Sequence, residues 1–305
     1  MLGILKGDIA SNVSWQYIVM SYRFPQALTA LLTGSVLSVC GLMLQAIFRN
    51  PLADASILGI SSGAGLGVAC VMLLFGGGLY IGGLSFGGFA AVFVAALSGA
   101  LAVTFIMLFL SSVIRNNALL LVAGVMLGYV TSSVVMLLNF FASADGIRVY
   151  VQWGMGNFSG VSETMLPLYA AVSMICIVVS SLLVKPLNLM LIGSRYAENL
   201  GVNIKRLRTT ILLLTGIMTA LSTSFCGPIA FIGLAVPHLA RLLLRTDDFR
   251  LIMPTTILIG ALVALLCNFV CVLPSNGGIL PLNAVTPFLG VPIILYVISR
   301  KSYSL

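Results

Sequence analysis

Apolar residues in this chain form continuous runs and do not alternate with polar ones; the runs fall at Gln26–Phe48, Ser56–Phe75, Phe89–Val113, Ala118–Leu138, Met165–Val184, Thr210–Cys226, Ile229–Leu244, Ile252–Val272 and Ala284–Ile298. A hydrocarbon layer ~30 Å thick is crossed by about twenty helical residues, and most of these runs have close to that length. Strands of a membrane barrel would instead alternate apolar and polar positions. The pattern therefore predicts an all-α polytopic membrane protein with nine spans. It forms one transmembrane domain over residues 26–299, with an interfacial, extracytoplasmic lead-in over 1–25 and a cytoplasmic tail over 300–305.

Ile229–Leu244 is the weakest of the nine, being short and carrying Pro237, His238 and Arg241. Charge decides whether it crosses. With it as a span, Arg49, Arg115, Lys185, Arg195, Lys205, Arg206, Arg208, Arg241, Arg245, Arg250, Arg300 and Lys301 share one side, and only Lys6, Arg23 and Arg148 lie on the other. That is a strong positive-inside bias; without the crossing the two sides carry nearly equal numbers. The first side is cytoplasmic, so the N-terminus is outside and the C-terminus inside. The outward connections are then Phe75–Gly88, Asn139–Gly160 and Leu273–Asn283.

Composition agrees with a membrane class. Of 305 residues 60% are hydrophobic and 7% charged, where a soluble domain carries about 25% charged residues. The net charge of +8 would point to nucleic acid in a soluble protein, but here its placement reads as topology, and no nucleic-acid partner is expected. Asp8, Asn12 and Gln16 interrupt any signal-peptide core after Lys6. The six cysteines lie in or beside apolar runs and read as small hydrophobes; no metal or redox motif follows.

One stretch has the character of a soluble protein. Gly193–Arg208, GSRYAENLGVNIKRLR, holds Arg195, Lys205, Arg206, Arg208 and Glu198 between two spans. It is either a loop that only fixes topology or a handle by which an external motor moves the membrane part, with a short helix carrying Ala197, Leu200 and Gly201. No Asp, Glu, Lys or Arg falls in the middle of a span, which argues against coupling to an ion gradient. No GxxxxGK[ST] phosphate loop is present either, so any ATP is hydrolysed on another chain. Two classes remain: the permease of an ATP-driven importer, and a stand-alone ion-coupled transporter or channel. His238, the only histidine, reads as a structural hydrogen-bonding group, with a proton relay as the alternative.

Within Arg49–Gly67, RNPLADASILGISSGAGLG, Asn50-Pro51 breaks a helix, Asp54 can cap the next, and Gly59, Gly63, Gly65 and Gly67 make a small-residue face. Together these resemble the NPLA-D-x-x-LG-x-x-x-GA signature of the FecCD-type permeases, membrane subunits of ABC importers for iron–siderophore complexes, haem and cobalamin. The resemblance extends through LLLVAGVMLG (119–128), WGMGNFSG (153–160), GSRYAENLGV (193–202), GPIAFIGLAVPHLARLL (227–243) and LPLNAVTPFLGVP (280–292).

Several roles are implied by that resemblance. Arg195, Ala197, Leu200, Gly201 and Val202 would form the coupling element on the ATPase. Asn116 and Asn117, in the turn after Arg115, would sit at the cytoplasmic gate, or simply form a turn. Pro237, His238 and Arg241 match the family's PH-x-x-R pattern. Arg23 matches an arginine that docks the binding protein, while Gln26, Val272 and Asn268 replace charged residues expected there. The implied assembly is a homodimer in the cytoplasmic (inner) membrane of a prokaryote, with two ABC ATPase subunits and an extracytoplasmic substrate-binding protein. No cofactor is expected on this chain, and ATP with Mg2+ would bind the partner subunits. Family members usually have ten helices, so either a further span lies upstream of Arg23 or nine suffice.

Overall fold

The computed structural model describes residues 17–74, 78–81, 84–114, 116–273 and 280–302. Arg115, most of the lead-in and part of the Leu273–Asn283 connection lie outside them. Helices α1 (Val19–Phe48), α3 (Phe89–Val113), α4 (Asn117–Phe141), α9 (Ile204–Cys226) and α11 (Phe249–Val272) are long and apolar enough to cross a membrane. The pair α6 (Leu166–Leu182) and α7 (Val184–Ile192), bent by 44°, makes a sixth if taken as one passage; three shorter apolar helices, α2 (Ile60–Leu74), α10 (Ile232–Leu244) and the segment Leu282–Tyr296 of α12 (Leu282–Ser302), fall on the other three predicted runs. Two short helices lie off the spans, α5 (Ala144–Gly154) and α8 (Ser194–Asn199). Strands β1 (Gly78–Ile81) and β2 (Leu84–Gly87) pair antiparallel in the connection between α2 and α3.

α1 begins earlier than the apolar run suggested, because Val19–Arg23 winds as a π-helix into the α-helical remainder. The end of the predicted lead-in is thus continuous with the first long helix. Tyr17, Met20, Tyr22 and Phe24 are exposed around it, as aromatic side chains at a lipid–water interface are.

α1 and α9 form the centre of the bundle, each 78% buried over its apolar window, against 17% for α4. Lipid tails are as apolar as Leu, so helices here associate through close packing of small residues. A Cβ at Gly34 would lie 2.2 Å from the Gly260 carbonyl oxygen, and one at Gly99 would lie 2.2 Å from that of Gly63. Of the predicted glycine face, Gly63 and Gly67 press on α3, Gly59 turns toward α4, and Gly65 faces the Tyr150 hydroxyl. Buried hydroxyls are partly satisfied inside the bundle: Thr33 donates to the Thr29 carbonyl at 2.6 Å and shares a 2.6 Å bond with the Tyr169 hydroxyl.

Bonds between distant parts of the chain gather at two opposite faces. One holds Arg49 to Met190, Asn188 to Asp248, and Arg241 to Gln45. The other holds Gln26 to Asn268, and Asn283 to Gly154 and Pro228. The stretch from Pro228 through α10 to Arg241 runs from the second face to the first. The thirteen residues of α10 reach about 20 Å, and the irregular residues 227–231 complete the passage. Their polar backbone is met by Asn283, which accepts from Ala230 N–H and donates to the Pro228 carbonyl, as irregular backbone at membrane depth requires.

Candidate coupling surface at the cytoplasmic face

The last part of the soluble-looking stretch is helical. Asn203 caps α9 by accepting from the Arg206 N–H at 2.9 Å, and Leu207 and Arg208 are already buried in that helix. α9 therefore begins inside the predicted loop, with Lys205 and Arg206 still exposed on its first turn. What precedes it is α8, entered through Gly193 at φ 137° and left through Gly201 at φ 87°. The left-handed Gly201 lets Val202 N–H turn back to the Ala197 carbonyl at 2.9 Å, which closes the helix end.

α8 presents one face outward. Tyr196 and Leu200, one turn apart, are 65% and 62% exposed, and Leu191 and Ile192 just before the helix are exposed beside them. Ala197 turns inward and is fully buried. Of the implied coupling residues, Arg195, Leu200 and Gly201 therefore lie at the surface, Val202 is half-buried, and Ala197 anchors the helix from beneath. Tyr196 was missed by the sequence reading, although its i,i+4 spacing to Leu200 was the available signal.

Beside α7, motif residues from separate parts of the chain line one cavity of about 520 Å3: Asn50, Pro51, His238 and Arg241, with Gln45 and Arg49. His238 Nε2–H donates to the Pro51 carbonyl at 2.8 Å. Arg241 donates to the Gln45 side-chain oxygen at 2.7 Å and pairs with Asp247 at 3.3 Å. Asp54 does not cap the next helix: α2 starts after Gly59 without a side-chain cap, and Asp54 accepts from the Ser56 hydroxyl at 2.8 Å to close the turn before it. It is buried against Gly233, whose Cβ, if present, would lie 2.2 Å from the carboxylate. Gly233 packs on Leu37 in the middle of α1. The rule that no carboxylate lies inside the bundle thus holds for the helices only, since a non-helical segment carries Asp54 to that depth.

Asn116 caps α4, accepting from the Ala118 and Leu119 N–H groups, and Asn117 donates to the Ile47 carbonyl at 2.6 Å. Asp248 caps α11, where the backbone N–H of Arg250 and then the amide of Asn188 hold its carboxyl below the usual carboxylate range. Arg23 lies on the opposite face and donates to Gln26 at 3.4 Å, which in turn donates to Asn268 at 2.9 Å.

The bundle thus combines irregular, buried backbone with a short helix exposed at one face. Residues 3–300 match the FecCD transport family, and the chain belongs to that family. It is 34% identical over 287 residues to the vitamin B12 import system permease protein BtuC of Klebsiella pneumoniae, covering 94% of this chain and 83% of that protein. Against the BtuC protein of Salmonella typhi it is 33% identical over 291 residues, covering 94% and 85%. Its fold matches an inward-facing metal-chelate type ABC transporter with a TM-score of 0.85 at 26% identity, over 95% of this chain and 90% of that one. The PsaBC complex of Streptococcus pneumoniae shares the fold at TM-score 0.60 and 14% identity, over 97% and 95%. The chain is thus a multi-pass permease subunit of an ABC importer in the prokaryotic inner membrane, a transport subunit and not an enzyme. Membership decides against the ion-coupled alternative.

Proposed function

We propose that this permease moves a metal chelate, of the corrinoid, haem or ferric-siderophore class, inward by alternating access. Two copies form the path, two ABC ATPases act from the cytoplasm, and an extracytoplasmic binding protein delivers the substrate. ATP and its Mg2+ belong to the ATPases, because this chain has no phosphate loop. The observation that carries the reading is α8: a short helix locked to the bundle through Ala197 that offers Tyr196 and Leu200 to a partner. Aromatic side chains in such positions are frequent anchors of protein interfaces. α4 supports the second copy, since it is exposed at Tyr129, Val130, Met136 and Phe140. Within the chelate class the relatives favour cobalamin.

Reconstitution with the cognate ATPase and binding protein in proteoliposomes tests this. Uptake of cobalamin, haem and a ferric siderophore is measured with ATP inside, and one of the three should accumulate only when all components are present. Uptake without the ATPase, or no ATP-driven uptake of any of them, overturns the proposal.

A further inference from the structure

Arg208 sits near the start of α9, only 9% exposed, with its guanidinium turned into the ends of two other helices. One nitrogen donates to the Ile114 carbonyl at 2.9 Å and to that of Ser111 at 3.4 Å. These oxygens end α3, where carbonyls have no partner within the helix and where a positive charge is favoured. The other terminal nitrogen donates to the side-chain oxygen of Asn117, the first residue of α4. The nitrogen of that same amide donates to the Ile47 carbonyl at the end of α1. The amide has one orientation here: turned over, it would set NH2 against the guanidinium and oxygen against a carbonyl.

One guanidinium and one amide therefore tie the start of α9 to the end of α1 and to both sides of the α3–α4 turn. Slack between α8 and this clasp is small. Residues 200–203 are the whole connection, Val202 bonds back to Ala197, and Asn203 caps α9. Thrust on α8 thus reaches Arg208 through backbone that is hydrogen-bonded at each end.

We propose that the Arg208–Asn117 clasp is the positioning link that makes the α3–α4 turn follow the coupling helix during the transport cycle. The proposal rests on the reading above that ATPases act on α8. Arg208 is a positioning residue in this scheme: it works through Asn117 and the α3 carbonyls. Lysine cannot replace it, because a single ammonium lacks the planar fork that reaches two helix ends at once.

The test uses the complete reconstituted importer with Arg208→Gln, Arg208→Lys, Asn117→Ala and the double variant Arg208→Gln/Asn117→Ala. The readout is ATP hydrolysed per substrate imported, which loss of folded protein alone does not change. Arg208→Gln and Asn117→Ala should each raise that ratio at least tenfold. The double variant should be no worse than the worse single, since both cut one link, and Arg208→Lys should resemble Arg208→Gln. Unchanged ratios in both singles, multiplied effects in the double, or full coupling in Arg208→Lys overturn the clasp. Should Arg208→Gln fail to assemble, Asn117→Ala decides, because it leaves the bonds from Arg208 to Ser111 and Ile114 in place. Failure of the native importer to couple ATP to uptake would count against the proposed function, whereas native coupling with unaffected variants counts against the clasp alone.

Discussion

On α8 Tyr196 is exposed and its neighbour Ala197 buried, and substitutions at the two should fail in different ways. Ala197→Asp places a carboxylate in a fully buried position, and an unpaired buried charge costs several kcal/mol. Detergent-purified Ala197→Asp protein should show a lowered melting temperature before any question of coupling arises. Tyr196→Ala combined with Leu200→Ala removes exposed side chains, where changes stay within about 0.5 kcal/mol of stability. Its melting temperature should hold while its affinity for the ATPase falls by about fivefold or more, as for loss of an interface anchor worth above about 1 kcal/mol. Equal effects of both variants on stability would refute this division. Gly99 gives a third case: the Gly63 carbonyl would stand 2.2 Å from its Cβ, so Gly99→Val must force α2 and α3 apart, and little folded protein should be recovered.

At the scale of elements, the cap of α11 makes a prediction about pH. Asp248 has its carboxyl held below the usual value by Arg250 N–H and the Asn188 amide. A depressed folded-state pKa contributes stability above the unfolded carboxylate value, about 3.9, and loses it as pH falls through the lower folded value. Native protein should therefore melt higher than Asp248→Ala at neutral pH, and the gap should shrink in acid below about pH 4; a gap constant with pH would remove the charge from the account. The long apolar helices were legible in the sequence because lipid demands long apolar runs, and Ile232–Leu244 was legible as a shorter apolar one. Less legible were the elements whose placement depends on tertiary contacts. α5 hides in an outward loop, though Ser143 accepts from Gly146 N–H as its cap and Asp145 stands in its first turn. Asp54 reads as a helix cap until the chain around it folds inward. Arg208 counted as one more cytoplasmic charge, because nothing local tells a buried arginine from a solvated one.

For the whole molecule, the outer face decides how the importer meets its binding protein. By resemblance to the family, arginines are expected there at three positions, and this chain keeps only Arg23. Gln26 is 8% exposed and engaged with Asn268, a neutral amide pair beside a cavity of about 240 Å3 that Gln152 and Asn157 also line. Val272, in the third position, is half-buried and uncharged. An exposed ion pair contributes about 0.2–1 kcal/mol and acts mainly on association rate and register. With one charge per copy, docking should depend on Arg23 and on amide and apolar contact, and should weaken little with salt once the Debye length falls below ~10 Å near 0.1 M. Arg148 is exposed on the second outward connection and is the residue best placed to substitute for the lost charges. Binding-protein affinity should be measured across a salt series for the native chain, Arg23→Ala, Arg148→Ala and a Gln26→Arg/Val272→Arg double variant. Arg23→Ala should lower affinity by a factor of about two to five, and the double variant should steepen the salt dependence. A steep salt slope in the native complex that vanishes in Arg148→Ala would assign docking to the second connection, and no loss in Arg23→Ala would remove the first helix from the interface.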